Sequence, residues 1–259
     1  MTKTAEMQKA SLRWKKAGLR VVLVPTMGAL HQGHASLIRR ARRLGDRVVV
    51  SSYVNPTQFN RRSDFRKYPM RPAADLNLAE HAGADVFFRP RSLYTSDAST
   101  WVEETARSRG RCGDRRPGHF RGVATVVTKL LGIVQPDVAV FGEKDLQQCE
   151  VIERLVRDLY LPVKIVRHPT IREKDGLAMS SRNLRLSPRQ RVLAAVWAKA
   201  VRVAAQERGG AVPRRLRRLL QNVSGLRLEY AEVVGRHLCA AAWLGSVRLI
   251  DNRKCGLKR

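Results

Sequence analysis

The sequence predicts an α/β protein: a doubly wound parallel sheet followed by a smaller α+β domain. Two observations carry this prediction. Short β-branched runs alternate with helical stretches up to about residue 172, which is typical of a parallel sheet covered on both faces. Beyond that point two helices come first and short strands follow. We therefore expect one domain over residues 1–171 and a second over residues 172–259.

The elements of the first domain follow from hydrophobic spacing and from the residues that end each run. A helical pattern closed by Gly18 precedes the first β-branched run, and this order repeats along the chain. The predicted helices are 5–16, 34–44, 72–83, 122–134 and 145–159, and the predicted strands are 20–24, 47–54, 84–88, 137–141 and 162–166.

The second domain has a different order of predicted elements, with two helices before two strands. A long helical pattern covers residues 187–208 and is broken by Gly209 and Gly210. A second, very basic helix is predicted over 212–221, and two short strands over 226–234 and 246–250.

Positive charge dominates the composition. The 259 residues include 50 Lys and Arg against 22 Asp and Glu, a formal net charge of +28. Such a surface first suggests nucleic acid, but the densest block, residues 185–220, also carries apolar residues typical of an amphipathic helix with a solvated face. A compositional habit and a polyanion partner both stay open. A small anionic substrate would be attracted by the same field.

Several classes of protein are excluded. No apolar run approaches the ~18 residues of a membrane helix, and residues 1–10 lack the apolar segment of a secretory signal. The four cysteines are scattered without a C-x-x-C pair, which excludes a zinc ribbon or a disulfide framework. We expect a cytoplasmic protein with no membrane partner.

The strongest local signal is the segment 25–34, P-T-M-G-A-L-H-Q-G-H, where a predicted strand ends and a helix begins. Open α/β sheets bind ligands at such points, and a helix N-terminus favours phosphate. His31 and His34 can present imidazole N–H donors on one side of the turn, while Gly33 leaves room for a nucleotide. Such donors stabilise charge on a phosphoryl group in transfer. Two structural histidines are the alternative.

Two further segments are suited to phosphates. In F-G-E-K-D (141–145), Lys144 supplies a mobile cation and Asp145 a candidate helix cap that could also reach a ribose or a metal. In G-L-A-M-S-S-R-N (176–183), two hydroxyls and a guanidinium form a flexible anion clamp. Each of these two segments is weak evidence for a phosphate site when taken alone, and G-E-K-D is more often a solvated turn. The chance that all three segments, including 25–34, occur together by accident is small.

Amide side chains accompany these segments. Gln58 lies in N-P-T-Q-F (55–59), and Gln147 and Gln148 follow Lys144 on a predicted helix. Amides donate and accept, so they can hold a carboxylate and neighbouring hydroxyls. A capped turn and an exposed helix face are the alternatives. The R-P-G-H-F-R-G segment (116–122) indicates a rigid turn in which His119 shapes a loop or a subunit contact, with a catalytic role as the alternative. We interpret His81, His168 and His237 as structural.

Together, segments 25–34, 55–59, 116–122, 142–148 and 172–183, with R-L-I-D-N at 248–252, resemble the pantoate–β-alanine ligase family over nearly the whole chain. The resemblance implies a Rossmann-like fold of the nucleotidyltransferase superfamily with a C-terminal lid domain, in a cytoplasmic homodimer. It implies ATP-dependent, Mg²⁺-assisted condensation of pantoate with β-alanine through a pantoyl adenylate. A nucleotidyltransferase with a different acceptor and a nucleic-acid-binding protein that kept the fold are the alternatives.

The resemblance also assigns roles to residues. His34, as proton donor, with His31 and Lys144 would be catalytic, and Gln58 and Gln148 match pantoate-binding positions, Gln58 also meeting β-alanine. No residue matches a metal ligand. The positions matching the ATP site are Met27, Gly28, Ala29, Leu30, His31, Gln32, Gly33, His34, Gly142, Glu143, Lys144, Asp145, Ile171, Met179, Ser180, Ser181 and Arg182.

Three positions depart from the family pattern. Met70 stands where Arg is usual, Arg185 where Tyr is common, and Gly235 where an acidic residue is usual. The C-terminal domain is also shorter than the family's.

Overall fold

The computed structural model describes residues 1–256 of the chain. Its internal contacts divide it into two compact units. The first unit contains residues 1–143 and 147–169, and the second contains Lys144–Leu146 together with residues 170–256.

A five-stranded parallel sheet forms the centre of the first unit. Its spatial order, β3-β2-β1-β4-β5, means that the chain runs outward from β1 on one side and from β4 on the other. The carboxyl ends of β1 and β4 therefore flank the crevice where such sheets bind ligands. The strands are β1 (Val21–Thr26), β2 (Arg47–Ser52), β3 (Val86–Phe88), β4 (Val138–Gly142) and β5 (Lys164–His168).

Helices connect and cover these strands. In chain order they are α1 (Thr4–Lys16), α2 (Gln32–Arg42), α3 (Arg62–Arg66), α4 (Pro72–His81), α5 (Arg111–Arg115), α6 (His119–Val134) and α7 (Leu146–Asp158). Valines of β1, β2 and β4 are fully buried against Ile38 of α2 and Ala79 of α4. Burial on both faces explains why the central strands show apolar runs rather than alternation.

The second unit packs two helices against a three-stranded antiparallel sheet of order β6-β7-β8. Trp197 and Leu216 are fully buried in its core, with alanines of the middle strand. Its elements are α8 (Pro188–Ala204), α9 (Ala211–Leu220), β6 (Leu226–Val234), β7 (His237–Leu244) and β8 (Val247–Lys254).

The predicted fold class is confirmed. The short helices α3 and α5 were not predicted, and β5 begins and ends two residues later than expected. Two further differences have a clear local cause. The second unit contains a strand, β7, that the sequence did not predict, because its centre is the alanine run 240–242 and alanine is a poor strand former. Gly235 lies in the tight turn before this strand with φ +56°, so the departure from the family pattern at this position coincides with a turn that favours glycine. Helix α6 begins at His119 rather than at residue 122, directly after left-handed Gly118.

The amphipathic interpretation of the basic block 185–220 is confirmed. In α8, Ala194 and Trp197 are buried, whereas Lys199 and Arg202 are exposed. In α9, Val212, Leu216 and Leu220 are buried, whereas Arg214, Arg217 and Arg218 are exposed. Among residues 1–256, no helix combines the length and apolar character needed to span a membrane.

Candidate active site

The turn between β1 and α2 has a backbone that demands small residues. Gly28 and Ala29 both adopt left-handed conformations, with φ +81° and +50°. A Cβ atom on Gly28 would lie 2.9 Å from Ser52 Oγ and 3.0 Å from Asp75 Oδ2. The turn therefore packs against β2 and α4 so closely that only glycine fits at position 28.

A buried carboxylate holds this turn in place. Asp75 of α4 is 3% exposed, and its two oxygens accept hydrogen bonds from the backbone N–H groups of Ala29 at 2.9 Å and Leu30 at 2.7 Å. Hydrogen bonds to a charged acceptor are the stronger kind. Asp75 thus fixes the chain just before the histidine pair.

His31 and His34 form a reciprocal cap on α2. The Nδ1 atom of His31 accepts from the backbone N–H of Gly33 at 3.1 Å, and the Nδ1 atom of His34 accepts from the backbone N–H of His31 at 3.3 Å. The ring centroids are 4.1 Å apart. Two backbone donors at the helix start are satisfied in this way.

This cap selects the tautomer of both rings. A nitrogen that accepts a hydrogen bond carries no proton, so Nδ1 is unprotonated in each ring and the proton of the neutral imidazole lies on Nε2. The cap therefore turns His31 and His34 into two Nε2–H donors at a helix N-terminus, where the helix dipole also favours an anion.

Gln58 lies in a network of buried amides. Its Oε1 accepts from Asn55 Nδ2 at 3.1 Å, and its Nε2 donates to Met27 Sδ at 2.9 Å. Asn55 Oδ1 in turn accepts from the hydroxyls of Tyr94 and Thr57, each at 3.0 Å. Burial raises the pKa of the Tyr94 phenol, which keeps it a donor. The structure thus brings two predicted site residues, Met27 and Gln58, into contact.

The R-P-G-H-F turn supports the main chain of the same residue. The carbonyl of Gln58 accepts from Arg116 Nη2 at 3.2 Å and is 2.8 Å from His119 Nδ1. A Cβ on Gly122 would lie 2.5 Å from the carbonyl oxygen of Thr57. Segments 55–59 and 116–122 therefore form one packed unit, in which His119 shapes the loop of Gln58, in line with one of its two expected roles.

The two glutamines that follow Lys144 have different environments. Gln147 is buried; its Nε2 donates to the carbonyls of Arg107, Arg109 and Gly110, and its Oε1 accepts from the N–H of Cys112. Its amide is fully used in holding that segment. Gln148 is partly exposed, so of the pair only Gln148 remains a candidate for substrate.

Lys144 belongs to the second unit and lies in a 3₁₀ turn over Glu143–Asp145, directly before α7. Its Nζ is 3.6 Å from Asp145 Oδ2. Its carbonyl accepts from Asn252 Nδ2 at 3.0 Å, which ties the turn to β8. Asp145, predicted as a helix cap, is in this structure an ion-pair partner of Lys144.

The other predicted ATP-site residues of the second unit lie on one short hairpin. Met179 N–H donates to the carbonyl of Ile171 at 3.0 Å, and Arg172 and Ala178 form an antiparallel bridge. Ser180 then caps the 3₁₀ turn Ser181–Arg185 by accepting from the N–H of Arg182 at 3.3 Å. The hairpin thus joins Ile171 to the hydroxyl-rich segment.

His168 is a histidine whose position sequence reasoning did not anticipate. It pairs in register with Gly142 at the carboxyl end of the sheet, and its Nε2 is 2.6 Å from Ser36 Oγ of α2. Burial, reinforced by Arg40 and Arg43, lowers the pKa of its imidazole. It therefore packs neutral beside the helix that carries His34.

Sequence reasoning also missed two supporting acids, Asp75 and Asp251. Asp75 had a detectable signal: it lies four residues before Ala79 on the buried face of α4, where an acid needs a partner. Asp251 lies in the noted R-L-I-D-N segment, but nothing in the sequence indicated its partner. Within residues 1–256 no cluster of three or more His, Cys, Asp or Glu could hold a metal ion.

Comparison with known proteins gives a consistent result. The model of the family described as pantoate-beta-alanine ligase matches residues 1–254. The chain is 43% identical to a pantothenate synthetase of Nitratidesulfovibrio vulgaris, covering 97% of both chains. It is 46% identical to one from Myxococcus xanthus, covering 93% of this chain and 91% of the relative.

Solved structures agree. A pantothenate synthetase from Thermus thermophilus superimposes with a TM-score of 0.90 at 39% identity, covering 98% of both chains. A pantoate-beta-alanine ligase from Francisella tularensis, complexed with beta-gamma ATP and β-alanine, gives a TM-score of 0.89 at 33% identity and covers 98% of this chain and 96% of that one. The fold, the histidine-capped turn and these relatives lead to one conclusion: the chain belongs to the pantoate–β-alanine ligase family.

Proposed function

We propose that this chain condenses pantoate with β-alanine at the expense of ATP, giving pantothenate, AMP and pyrophosphate. Two relatives that align over 97% and 91% of their own length are named pantothenate synthetase. The observation that carries the chemistry is the pair of Nε2–H donors that the cap of α2 creates from His31 and His34.

In the first step a pantoate oxygen attacks the α-phosphorus of ATP. The carboxylate is ionised at neutral pH and needs no activating base. The bond between the α-phosphorus and the bridging oxygen breaks, and pyrophosphate leaves. Negative charge shifts over the α-phosphoryl oxygens in the transition state, and the Nε2–H groups of His31 and His34 stabilise it. Positioning and charge are sufficient, so no protein nucleophile is required.

ATP is bound by main chain and by cationic and hydroxyl side chains. Lys144, Ser180, Ser181 and Arg182 hold the triphosphate oxygens. Mg²⁺ arrives as the magnesium complex of ATP and is part of the substrate, since this ion usually binds substrate phosphates with few protein ligands. The remaining contacts come from residues 27–34, Gly142, Glu143, Asp145, Ile171 and Met179.

In the second step the amine of β-alanine attacks the acyl carbon of the pantoyl adenylate. The C–O bond to AMP breaks, an amide forms, and the amine releases a proton. Gln58 and Gln148 hold pantoate through its hydroxyls and carboxyl group. The Asn55 contact orients Gln58 for this task, because it occupies Oε1 and leaves Nε2 as the donor end beside Met27.

Isotope transfer tests the proposal. Pantoate labelled with oxygen-18 in its carboxylate is incubated with ATP, Mg²⁺ and β-alanine. We expect pyrophosphate release that depends on pantoate, and one labelled oxygen in the phosphate of AMP for each amide formed. Release of pyrophosphate that does not depend on pantoate, with no oxygen-18 in AMP, would indicate a nucleotidyltransferase of different specificity.

We also propose, from the family, a homodimer that acts in the cytoplasm. From the change of pattern in the sequence we propose a domain boundary between residues 171 and 172, two residues beyond Thr170, where the long segment of the second compact unit begins. Light scattering at micromolar concentration tests the dimer. A polyanion partner for the charge of +28 is tested separately by salt-titrated binding, where a response that does not fall with salt removes the idea.

A further inference from the structure

The ATP-binding hairpin and the Lys144 turn share an anchor on β8. Asp251 has a side chain only 1% exposed. Its two oxygens accept from Arg172 Nη1 and Nη2, each at 2.9 Å, in the bidentate geometry that gives the strongest Arg–carboxylate contact. The backbone N–H of Asn252 donates to the same carboxylate at 2.8 Å.

Arg172 has its Nη groups committed to protein acceptors. Besides Asp251, Nη1 donates to the carbonyl of Gly176 at 3.1 Å and Nη2 to the carbonyl of Asn252 at 3.1 Å. Each Nη carries two N–H groups, so these four bonds use them all. A guanidinium in this state braces its loop instead of gripping a phosphate.

The neighbouring residue extends the brace to Lys144. Side chains of consecutive strand residues point to opposite faces, so Asp251 serves the hairpin while the Asn252 amide donates to the carbonyl of Lys144 at 3.0 Å. Asp251 and Asn252, two consecutive residues of β8, thus hold the hairpin at Arg172 and the turn at Lys144. These two segments are 28 residues apart in the sequence.

We propose that Asp251 and Asn252 are positioning residues for ATP: through Arg172 and the Lys144 carbonyl they hold the Lys144 turn and the hairpin that carries Met179–Arg182 in the arrangement that binds the triphosphate. The proposal rests on the proposed function, because it assigns those two segments to ATP.

The same sheet offers a matched control. Glu229 of β6 pairs with Arg248 of β8, with Oε2 at 2.9 Å from Nε and 2.5 Å from Nη2, and Oε1 accepts from Trp243. This pair is also largely buried, at 12% and 11% exposure. Glu229→Gln removes the same charge from the same three-stranded sheet as Asp251→Asn, but at an ion pair that joins β6 to β8 rather than β8 to the hairpin.

The experiment compares the KM for ATP, the KM for β-alanine and the thermal midpoint in the wild type, Asp251→Asn, Asn252→Ala and Glu229→Gln. We expect Asp251→Asn to raise the KM for ATP by about tenfold or more, with a much smaller change for β-alanine. Asn252→Ala keeps the Arg172–Asp251 pair and is expected to raise the KM for ATP less. Glu229→Gln is expected to lower the midpoint and leave both KM values unchanged.

The outcomes separate the two proposals. Absence of pantothenate synthesis by the wild type would refute the proposed function itself. If the wild type is active and folded Asp251→Asn behaves like Glu229→Gln, the positioning role is wrong. Should Asp251→Asn fail to fold, Asn252→Ala decides: an unchanged KM for ATP overturns the proposal, and a raised one supports it.

Discussion

Two regions of this molecule use a buried carboxylate to hold a loop, but they use it differently. In the first unit, Asp75 accepts two backbone N–H groups of the turn at Ala29 and Leu30. In the second unit, Asp251 accepts the guanidinium of Arg172. Asp75 therefore binds the main chain of its loop directly, whereas Asp251 holds its loop through the side chain of Arg172.

This difference predicts how each region responds when its carboxylate charge is removed. Loss of the Asp75 charge leaves neutral N–H donors short of an acceptor, and the turn loosens locally. Loss of the Asp251 charge leaves Arg172 a partly buried cation without its counterion, a larger electrostatic change that acts on the hairpin assigned to ATP. We therefore expect Asp75 to affect the chemical step more, and Asp251 to affect ATP binding more.

The largest expected effect concerns the ring of His34, which follows the turn that Asp75 holds. His34→Ala is expected to lower kcat by about 10³-fold, because it removes a donor aimed at developing charge. It also removes half of the cap, at a cost of about 1 kcal/mol in stability. His34→Asn is the control: its Oδ1 can still accept from the N–H of His31, so stability recovers while activity does not. Near-normal turnover of either variant would contradict the assigned role.

The next effect tests the hydrogen bonds that Asp75 accepts from the backbone of Ala29 and Leu30. Asp75→Asn offers one acceptor oxygen instead of two, so we expect a loss of up to about 10²-fold in the rate of pyrophosphate release in a single turnover. Asp85 is the matched control, since its carboxylate also accepts a backbone N–H, that of Val48, but before β3 at the amino end of the sheet. Asp85→Asn is expected to lower the free energy of unfolding by about 1–3 kcal/mol and to leave the rate unchanged. Equal rates in the two variants would show that Asp75 only stabilises the fold.

A smaller effect distinguishes a crowded glycine from an open one. Gly28→Ala places a Cβ against Ser52 and Asp75 at a positive φ, whereas Gly235→Ala meets nothing within 4 Å at φ +56°. We expect Gly28→Ala to lower the free energy of unfolding by about 2–3 kcal/mol and Gly235→Ala by about 1 kcal/mol. Urea denaturation measures both, and equal losses would mean that the turn at Gly28 is not tightly packed.

The smallest effect is a pH dependence from His168. Burial and two arginines lower the pKa of this imidazole below its ordinary value of 6.5. The unfolded chain therefore binds more protons, and stability falls as the pH drops from 6.5 towards the folded pKa and is flat below it. His168→Gln is expected to remove this part of the pH dependence. Identical curves of the free energy of unfolding against pH for the wild type and His168→Gln would contradict the assignment.

Sequence reasoning succeeded where structure depends on local pattern. The parallel sheet could be predicted because its strands are β-branched and buried on both faces, and the turn at 25–34 because it joins a strand to a helix. Helix α6 was placed three residues late, since its start depends on the left-handed backbone of Gly118. Strand β7 was missed because alanines owe their strand conformation to the neighbouring strands.

The supporting residues were out of reach for a different reason. The contact of Asp75 with Ala29 and Leu30 spans about 45 residues and involves main chain, so no side-chain pattern at 29 and 30 records it. The Arg172–Asp251 pair spans 79 residues. Long-range pairs of this kind are set by topology, and a single sequence offers only the signal of an acid at an otherwise apolar position.

Nitrogen-15 NMR of histidine-labelled protein at pH 7, with His31 and His34 assigned through Gln variants, tests the central claim that the α2 cap makes these rings two Nε2–H donors. We predict that both rings are in the Nε2–H tautomer and that a non-hydrolysable ATP analogue shifts both Nε2 signals. A proton on Nδ1 of either ring, or Nε2 signals indifferent to the analogue, would contradict it.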